Sequence, residues 1–88
     1  MTEIHKVKVK IIFVSFLKEV SGVKSAEFNL SEDATVKDVL EKIVEDFPKL
    51  KEWLPQNVWT LVNGHSLKPE STLRNNDEIA LFPRIGGA

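Results

Sequence analysis

The stretch whose residue types could take part in chemistry is residues 82–88, Phe-Pro-Arg-Ile-Gly-Gly-Ala. Proline cannot donate a hydrogen bond to a neighbouring strand, so Pro83 is expected to end a strand and release the chain into solvent. Gly86 and Gly87 carry no side chains, so their backbone can enter a cleft too narrow for a β-carbon. Fully extended, residues 84–87 reach roughly 13–14 Å. This is far enough to place a carbonyl in a partner's active site, although a Gly-Gly pair here could equally be a frayed chain end.

Few other residues offer chemistry. The two histidines, His5 and His65, lie far apart in sequence with no second acid or thiol at ligand spacing, so we expect ordinary surface or turn residues. The chain has no cysteine, which excludes a disulfide scaffold, a thiolate metal site and a catalytic thiol. We recognise no Ser-His-Asp pattern and no phosphate-binding loop, and we expect no bound metal. If the chain carries sulfur for transfer, that sulfur must be on a carboxyl group and not on a cysteine.

Length and composition fit one small domain. With 88 residues, of which 42% are hydrophobic, the chain can build one core, which we place in a domain at residues 1–83 followed by a flexible C-terminal tail at residues 84–88. The net charge of −1 gives no reason to expect nucleic acid or an anionic membrane as a partner. The apolar run at residues 11–14 is too short for a membrane span or a signal peptide. We therefore expect a cytoplasmic protein.

Two early segments have the alternation of strands. In residues 6–14, one face is apolar throughout, and the other changes from lysines to apolar residues at Ile12. Residues 24–30 alternate in the same way, and their closeness to the first segment favours a hairpin. Between the two segments, residues 16–20 are typical of a short helical turn.

Residues 36–47 have the pattern of an amphipathic helix. Its apolar residues recur three or four positions apart: Val36, Val39, Leu40, Ile43, Val44 and Phe47. Thr35 is a suitable N-cap, and Asp38 stands where the acid of a capping box would be. Pro48 is expected to stop the helix at Phe47.

The remaining segments complete the predicted fold. Residues 49–57 indicate a connector with one helical turn, and residues 58–62 an apolar strand. Asn63 and Gly64 are a strong hairpin signal and predict a weak strand near residues 66–67. Residues 78–82 form the last strand. The order strand, strand, helix, strand, short strand, strand predicts an α+β domain, with a mixed sheet of four to five strands and one main helix packed on one face.

Four apolar residues of the first and last strands form a candidate docking site. If these strands are neighbours, Ile12 and Val14 lie beside Ala80 and Phe82 on the face that the helix does not cover. A contiguous exposed apolar patch often marks an interaction site, although scattered exposed apolar residues are also ordinary. The lysines of the first strand indicate a solvated face or, alternatively, a surface for an acidic partner. The face that Trp59 occupies is not decided by the sequence.

Three stretches resemble the MoaD family of ubiquitin-like β-grasp sulfur carriers, the small subunits of molybdopterin synthase. Residues 9–22, VKIIFVSFLKEVSG, resemble that family's first strand and turn, and residues 61–64, LVNG, its third-strand exit. Residues 73–87, LRNNDEIALFPRIGG, match its C-terminal signature almost position by position, and this stretch is the specific part of the resemblance. With the helix, the resemblance covers nearly the whole chain and implies a ubiquitin-like β-grasp fold.

The resemblance implies a subunit with no active site and no bound cofactor of its own. In this family, an adenylating enzyme related to ubiquitin-activating enzymes uses ATP to convert the last glycine to an acyl-adenylate, and sulfur then replaces AMP. The resulting thiocarboxylate enters the large subunit of molybdopterin synthase and gives its sulfur to a cyclic pyranopterin precursor. The implied roles are a reactive tail at Gly86 and Gly87, a lead-in at Arg84 and Ile85, and docking contacts at Phe82 and Pro83.

One residue departs from the family pattern. Gly-Gly is terminal in the active family form, whereas here Ala88 follows Gly87, whose carbonyl is then an amide that the adenylating enzyme cannot use. Ala88 could be removed by a protease, could be left over from expression, or could mark a carrier that is inactive or used differently. The cofactor that the carrier serves could contain tungsten instead of molybdenum. Three other functions also stay open: a sulfur carrier for thiazole or tRNA thiolation, a ubiquitin-like modifier joined through Gly87 to a substrate lysine, and a plain interaction domain.

Overall fold

The computed structural model of the protein describes residues 6–54 and 56–84. Its elements are, in chain order, β1 (Lys6–Phe13), α1 (Leu17–Ser21), β2 (Ser25–Ser31), α2 (Val36–Asp46), a 3-10 helical turn (Pro48–Glu52), β3 (Val58–Val62), β4 (His65–Ser66) and β5 (Asp77–Pro83). The strands form one sheet in the order β2-β1-β5-β3-β4, in which β1 and β5 are parallel and the other pairs antiparallel. The predicted α+β class, with a mixed sheet and one main helix, is confirmed.

Local interactions fix both ends of α2. The Asp38 backbone N–H donates to Thr35 Oγ1 at 3.3 Å, and the Thr35 N–H donates to Asp38 Oδ2 at 2.9 Å, which completes the predicted capping box. The hydrogen bond from the Thr35 backbone, and then that with its side chain, lowers the pKa of Asp38, because both favour the carboxylate. At the other end, Phe47 is the C-cap, so the helix stops before Pro48 as the sequence predicts, and a 3-10 turn begins at Pro48 itself.

The Thr35→Ala variant should lose about 1 kcal/mol in the free energy of unfolding, because the first turn of α2 loses a side-chain acceptor. Urea unfolding at neutral pH measures this, with Thr35→Ser, which keeps the hydroxyl, as the control. A Thr35→Ala variant as stable as the original protein would show that the capping box does not stabilise α2.

Asp38 gives this cap a pH dependence. Because its native pKa is lowered, its stabilising contribution is present above the ordinary value of 3.8 and is lost as the pH falls through the lower native value. The difference in the free energy of unfolding between the original protein and Asp38→Asn should therefore shrink when urea unfolding is repeated at a pH below the native pKa of Asp38. A difference that stays constant down to the most acidic pH would contradict the assigned role of the carboxylate.

One face of the sheet and the apolar stripe of α2 form a single core. It contains the inward residues of β1 and β5 and most of the predicted helical stripe: Val7, Val9, Ile11, Phe13, Ile79, Leu81, Val36, Val39, Leu40 and Ile43. Phe47 is half-buried and packs edge to face on Phe13, with ring centroids 5.4 Å apart. The opposite face of the sheet, which carries the β1 lysines, is not covered by α2, and we call it the open face.

A hydrogen-bonded cluster joins the end of β3 to the start of β5. Asn63, at a φ of 51°, donates from Nδ2 to Asp77 Oδ1 at 2.8 Å and accepts from the Glu78 N–H at 2.9 Å. Asp77 is only 9% exposed and also accepts from the Arg74 N–H at 2.7 Å. The turn after Asn63 is tight enough that β4 begins at His65, one residue earlier than predicted. The cluster thus fixes the register of β3 against β5.

Candidate functional site

The central strands bring the predicted patch together. Ile12 lies opposite Ala80 in the β1–β5 pair. Val14 follows β1, and its N–H donates to the Leu81 carbonyl at 3.0 Å, so the pairing continues one step further. Ile12, Val14, Ala80 and Phe82 are all half-buried, and they share the open face because the residues that alternate with them point into the core. The predicted grouping of these four residues is confirmed.

Strand β3 adds two residues to this surface. Trp59 lies opposite Phe82, and Leu61 lies opposite Ala80, so both side chains are on the open face. Trp59 is 57% exposed, more than any other large apolar side chain in the described parts of the chain. We call the whole group the open-face patch: Ile12, Val14, Trp59, Leu61, Ala80 and Phe82.

The sequence could not assign these two residues, because β3 (Val58–Val62) is apolar at nearly every position and alternation does not separate its faces. The register with β5 decides the assignment. The one clue in the sequence was the alternation of β5, which places Phe82 on the open face. The β3 residue opposite Phe82 must then lie on that face as well.

Charge divides the open face into two halves. The first half of β1 carries the exposed Lys6, Lys8 and Lys10. Lys8 Nζ lies 3.6 Å from Glu27 Oε1, and Lys10 lies opposite Glu78. Exposed pairs of this kind contribute little to stability. Because β1 and β5 run parallel, the apolar half of β1 lies beside the end of β5. The open-face patch is therefore located where the chain leaves the sheet towards its Gly-Gly pair.

Arg84 is the last residue that the structure describes. It contacts Trp59 on β3 and Asn57, the residue before β3. Its N–H donates to the Asn57 carbonyl at 2.9 Å, and its guanidinium carbon lies 4.5 Å from the centroid of the Trp59 ring. This distance is typical of a cation–π interaction. The other predicted tail residues lie outside the described residues: Ile85, Gly86, Gly87 and Ala88. Their roles and the flexibility predicted for the tail stay predictions.

The described residues form a surface suited to holding another protein. It has an apolar centre, with the Arg84 cation at one end and the β1 lysines at the other. Within residues 6–54 and 56–84, no three His, Asp or Glu side chains are grouped closely enough to hold a metal ion. In the same ranges, no helix has the length and apolar character needed to cross a membrane. His65 is exposed on β4, and His5 lies outside the described residues.

Solved structures with this architecture are ubiquitin-like β-grasp proteins. A candidate molybdopterin converting factor subunit 1 from Pyrococcus furiosus superposes with a TM-score of 0.82 at 29% identity, over 90% of this chain and 99% of that one. The small archaeal modifier protein 1 of Haloferax volcanii superposes with a TM-score of 0.82 at 27% identity, over 90% of this chain and 99% of its own. The fold and the exposed sheet face thus define a ubiquitin-like β-grasp protein.

The chain belongs to the ThiS family, whose model matches residues 11–87. The molybdopterin synthase sulfur carrier subunit of Chlamydomonas reinhardtii is 28% identical in an alignment of 82 residues that covers 91% of this chain and 98% of that protein. The predicted resemblance to ubiquitin-like β-grasp sulfur carriers of the ThiS and MoaD type is confirmed.

Proposed function

We propose that the protein is the sulfur carrier subunit of a molybdopterin synthase. The observation that carries the proposal is that the family match extends to Gly87 and so includes the Gly-Gly pair. The C. reinhardtii relative bears this name and aligns over 91% of the chain. In this proposal, the protein works in the cytoplasm, binds no cofactor, and delivers sulfur from a thiocarboxylate on Gly87 without an active site of its own.

The first step, once hydrolysis of the Gly87–Ala88 bond has removed Ala88, is activation of the Gly87 carboxylate by a partner. A carboxylate is a poor acyl donor because its oxygen is a poor leaving group. We propose that an adenylating enzyme related to ubiquitin-activating enzymes lets this carboxylate attack the α-phosphorus of ATP, which releases pyrophosphate and forms the acyl-adenylate. A hydrosulfide equivalent from a sulfur donor then attacks the acyl carbon, and AMP leaves. The chain has no cysteine, so the sulfur stays on the carboxyl group.

The second step is delivery to the large subunit. The tail carries the thiocarboxylate into that subunit, where its sulfur displaces an oxygen substituent of a cyclic pyranopterin precursor and forms a thioester. Water then cleaves the acyl–sulfur bond, which returns the Gly87 carboxylate and leaves the sulfur on the precursor as a thiol. Two glycines suit this step, because residues without a β-carbon can pass through a narrow channel in conformations closed to other residues.

In this proposal, the open-face patch binds both partners in turn. Two groups of residues make the contacts. Those predicted from the sequence are Ile12, Val14, Ala80, Phe82, Pro83, Arg84 and Ile85. Strand β3 adds Trp59 and Leu61. Since the patch adjoins the tail, a partner that covers it has its cleft within reach of Gly87. Because both partners bind the same surface, the adenylating enzyme must release the carrier before the large subunit can bind it.

Reconstitution tests the proposal. A thiocarboxylated chain that ends at Gly87 is mixed with the large subunit and the pyranopterin precursor, and the same chain with an ordinary carboxylate is the control. We expect intact mass to show sulfur replaced by oxygen on the carrier while the precursor gains sulfur. If the thiocarboxylate persists here but is consumed with a thiazole or tRNA acceptor, the molybdopterin assignment is wrong.

Phe82→Ala should weaken binding to the large subunit by about 2 kcal/mol or more, as expected for an aromatic anchor at an interface. It should change the free energy of unfolding by less than about 1 kcal/mol, because Phe82 is not part of the core cluster. Phe47→Ala is the matched control, since Phe47 packs on the core through Phe13 and should show the reverse pattern. Calorimetric titration and urea unfolding measure the two quantities. A Phe82→Ala variant that unfolds easily but binds normally would reverse the assignment.

A second candidate function is protein modification. It is favoured by the similarity to H. volcanii small archaeal modifier protein 1, at 27% identity and a TM-score of 0.82. The activation step would be the same, but a substrate lysine would attack the acyl carbon and form an isopeptide bond with Gly87. The two functions therefore differ in the nucleophile that the partner supplies.

A further inference from the structure

Two contacts hold Arg84, at the base of the tail, against the approach to β3 and its second residue. The Arg84 N–H donates to the Asn57 carbonyl at 2.9 Å, one step beyond the pairing of Pro83 with Val58. The Arg84 guanidinium also lies over the Trp59 ring, 4.5 Å from its centroid. Trp59 is 57% exposed and is not part of the core. Its contact with Arg84 therefore stabilises the position of Arg84 rather than the domain.

The register explains how Trp59 reaches Arg84. Trp59 lies directly opposite Phe82, and Arg84 is two residues further along on the same face, which makes it a diagonal neighbour of Trp59. Aromatic side chains are long enough to contact such diagonal neighbours. Within the described ranges, no carboxylate lies within ion-pair distance of Arg84, so the ring is the partner that the structure gives to its charge.

We propose that Trp59 is a positioning residue for the C-terminal tail. By holding Arg84 against the open face, it fixes the point from which residues 85–88 leave the domain, beside the open-face patch. This inference rests on the proposed function, in which the residues after Arg84 enter a partner's cleft. A tail whose base is already fixed loses less conformational freedom when the partner binds, so the partner binds it more tightly.

The expected effect is on binding and not on the chemical step. Once the cleft holds Gly87, the contact between Arg84 and Trp59 no longer matters, so its loss should raise the KM for the carrier and leave kcat unchanged. An exposed cation–π contact corresponds to about a two- to fivefold change in an equilibrium constant. In chains that end at Gly87, Trp59→Leu should therefore raise the KM for the carrier in the adenylation reaction by at least this factor, and Trp59→Phe, which keeps an aromatic face, should raise it less.

Trp59 also belongs to the open-face patch, so a double-mutant cycle is needed to separate the two roles. If Trp59 acts through Arg84, the increases in KM caused by Trp59→Leu and Arg84→Gln should be non-additive, because each removes the same contact. Leu61→Ala is the matched control on the same face, and its effect should add to that of Arg84→Gln. Additive effects of Trp59→Leu and Arg84→Gln would overturn the proposal.

A measurement on the free protein tests the contact between Arg84 and Trp59 without any partner. Protons above the face of an indole ring shift upfield in NMR spectra, so the Arg84 side-chain protons should be upfield-shifted in the original chain. They should return to ordinary positions in Trp59→Leu and stay partly shifted in Trp59→Phe. Unshifted Arg84 protons in the original chain would overturn the inference. If they are shifted but the chain that ends at Gly87 is not adenylated, the contact between Arg84 and Trp59 is established and the proposed function fails.

Discussion

Replacing Ile43 by alanine should lower the free energy of unfolding by about 2–5 kcal/mol, the range for truncating a large side chain in a well-packed core. Ile43 is fully buried at the centre of the α2 stripe, at 0% exposure, and belongs to the cluster that joins α2 to β1 and β5. Removing its outer atoms leaves a cavity that the close-packed surroundings cannot fill. Urea unfolding of the two proteins measures the difference.

Leu40 provides a graded comparison on the same helix. It is 8% exposed and forms part of the wall of an open groove of about 690 Å³ between α2, Leu54 and Pro69. Because this side of Leu40 already faces open space, Leu40→Ala should fall at the lower end of the same range. A loss below about 0.5 kcal/mol for Ile43→Ala, or a larger loss for Leu40→Ala, would mean that the core-facing side of α2 is assigned wrongly.

Removal of Ala88 should switch the protein from inert to competent. In the sequence as it stands, the Gly87 carbonyl is an amide, and an amide offers no carboxylate oxygen to attack ATP. The chain that continues through Ala88 and a chain that ends at Gly87 are each incubated with ATP, the adenylating enzyme and a sulfur donor. We expect intact mass to show exchange of oxygen for sulfur only in the shorter chain.

A variant of the shorter chain separates the free carboxylate from the shape of the tail. Gly87→Ala, which ends in a carboxylate but carries a methyl group beside it, should react about 100-fold more slowly, because small misplacements of a reacting group have effects of this size. Equal thiolation of the chain that retains Ala88, without proteolysis, would contradict the mechanism. If neither chain reacts, an interaction domain becomes the better interpretation.

Most of the fold could be predicted from the sequence because it is encoded locally. The capping box of Thr35 and Asp38, the apolar stripe of α2 and the alternation of β1 each depend on residues close together in the chain. What could not be predicted depends on contacts between distant segments. The role of Asp77 as acceptor for Asn63 appears only once β3 and β5 are side by side.

The candidate site divides in the same way. Ile12, Ala80 and Phe82 could be grouped from alternation and the assumption that the first and last strands are neighbours, which the β1–β5 pair confirms. Trp59 could not be placed, because its strand is apolar on both faces and its contact with Arg84 depends on the β3–β5 register. The predicted roles of Gly86 and Gly87 rest on the sequence and the family match, since these residues lie outside the described part of the chain.

The most direct test of the sulfur-carrier function is the intact mass of the protein isolated from its native host. We expect a population that has lost Ala88 and carries sulfur in place of one carboxyl oxygen on Gly87. Fragmentation would locate that sulfur on the last residue. Protein found instead in isopeptide linkage between Gly87 and lysines of other proteins, with no thiocarboxylate, would contradict the carrier function and establish a modifier.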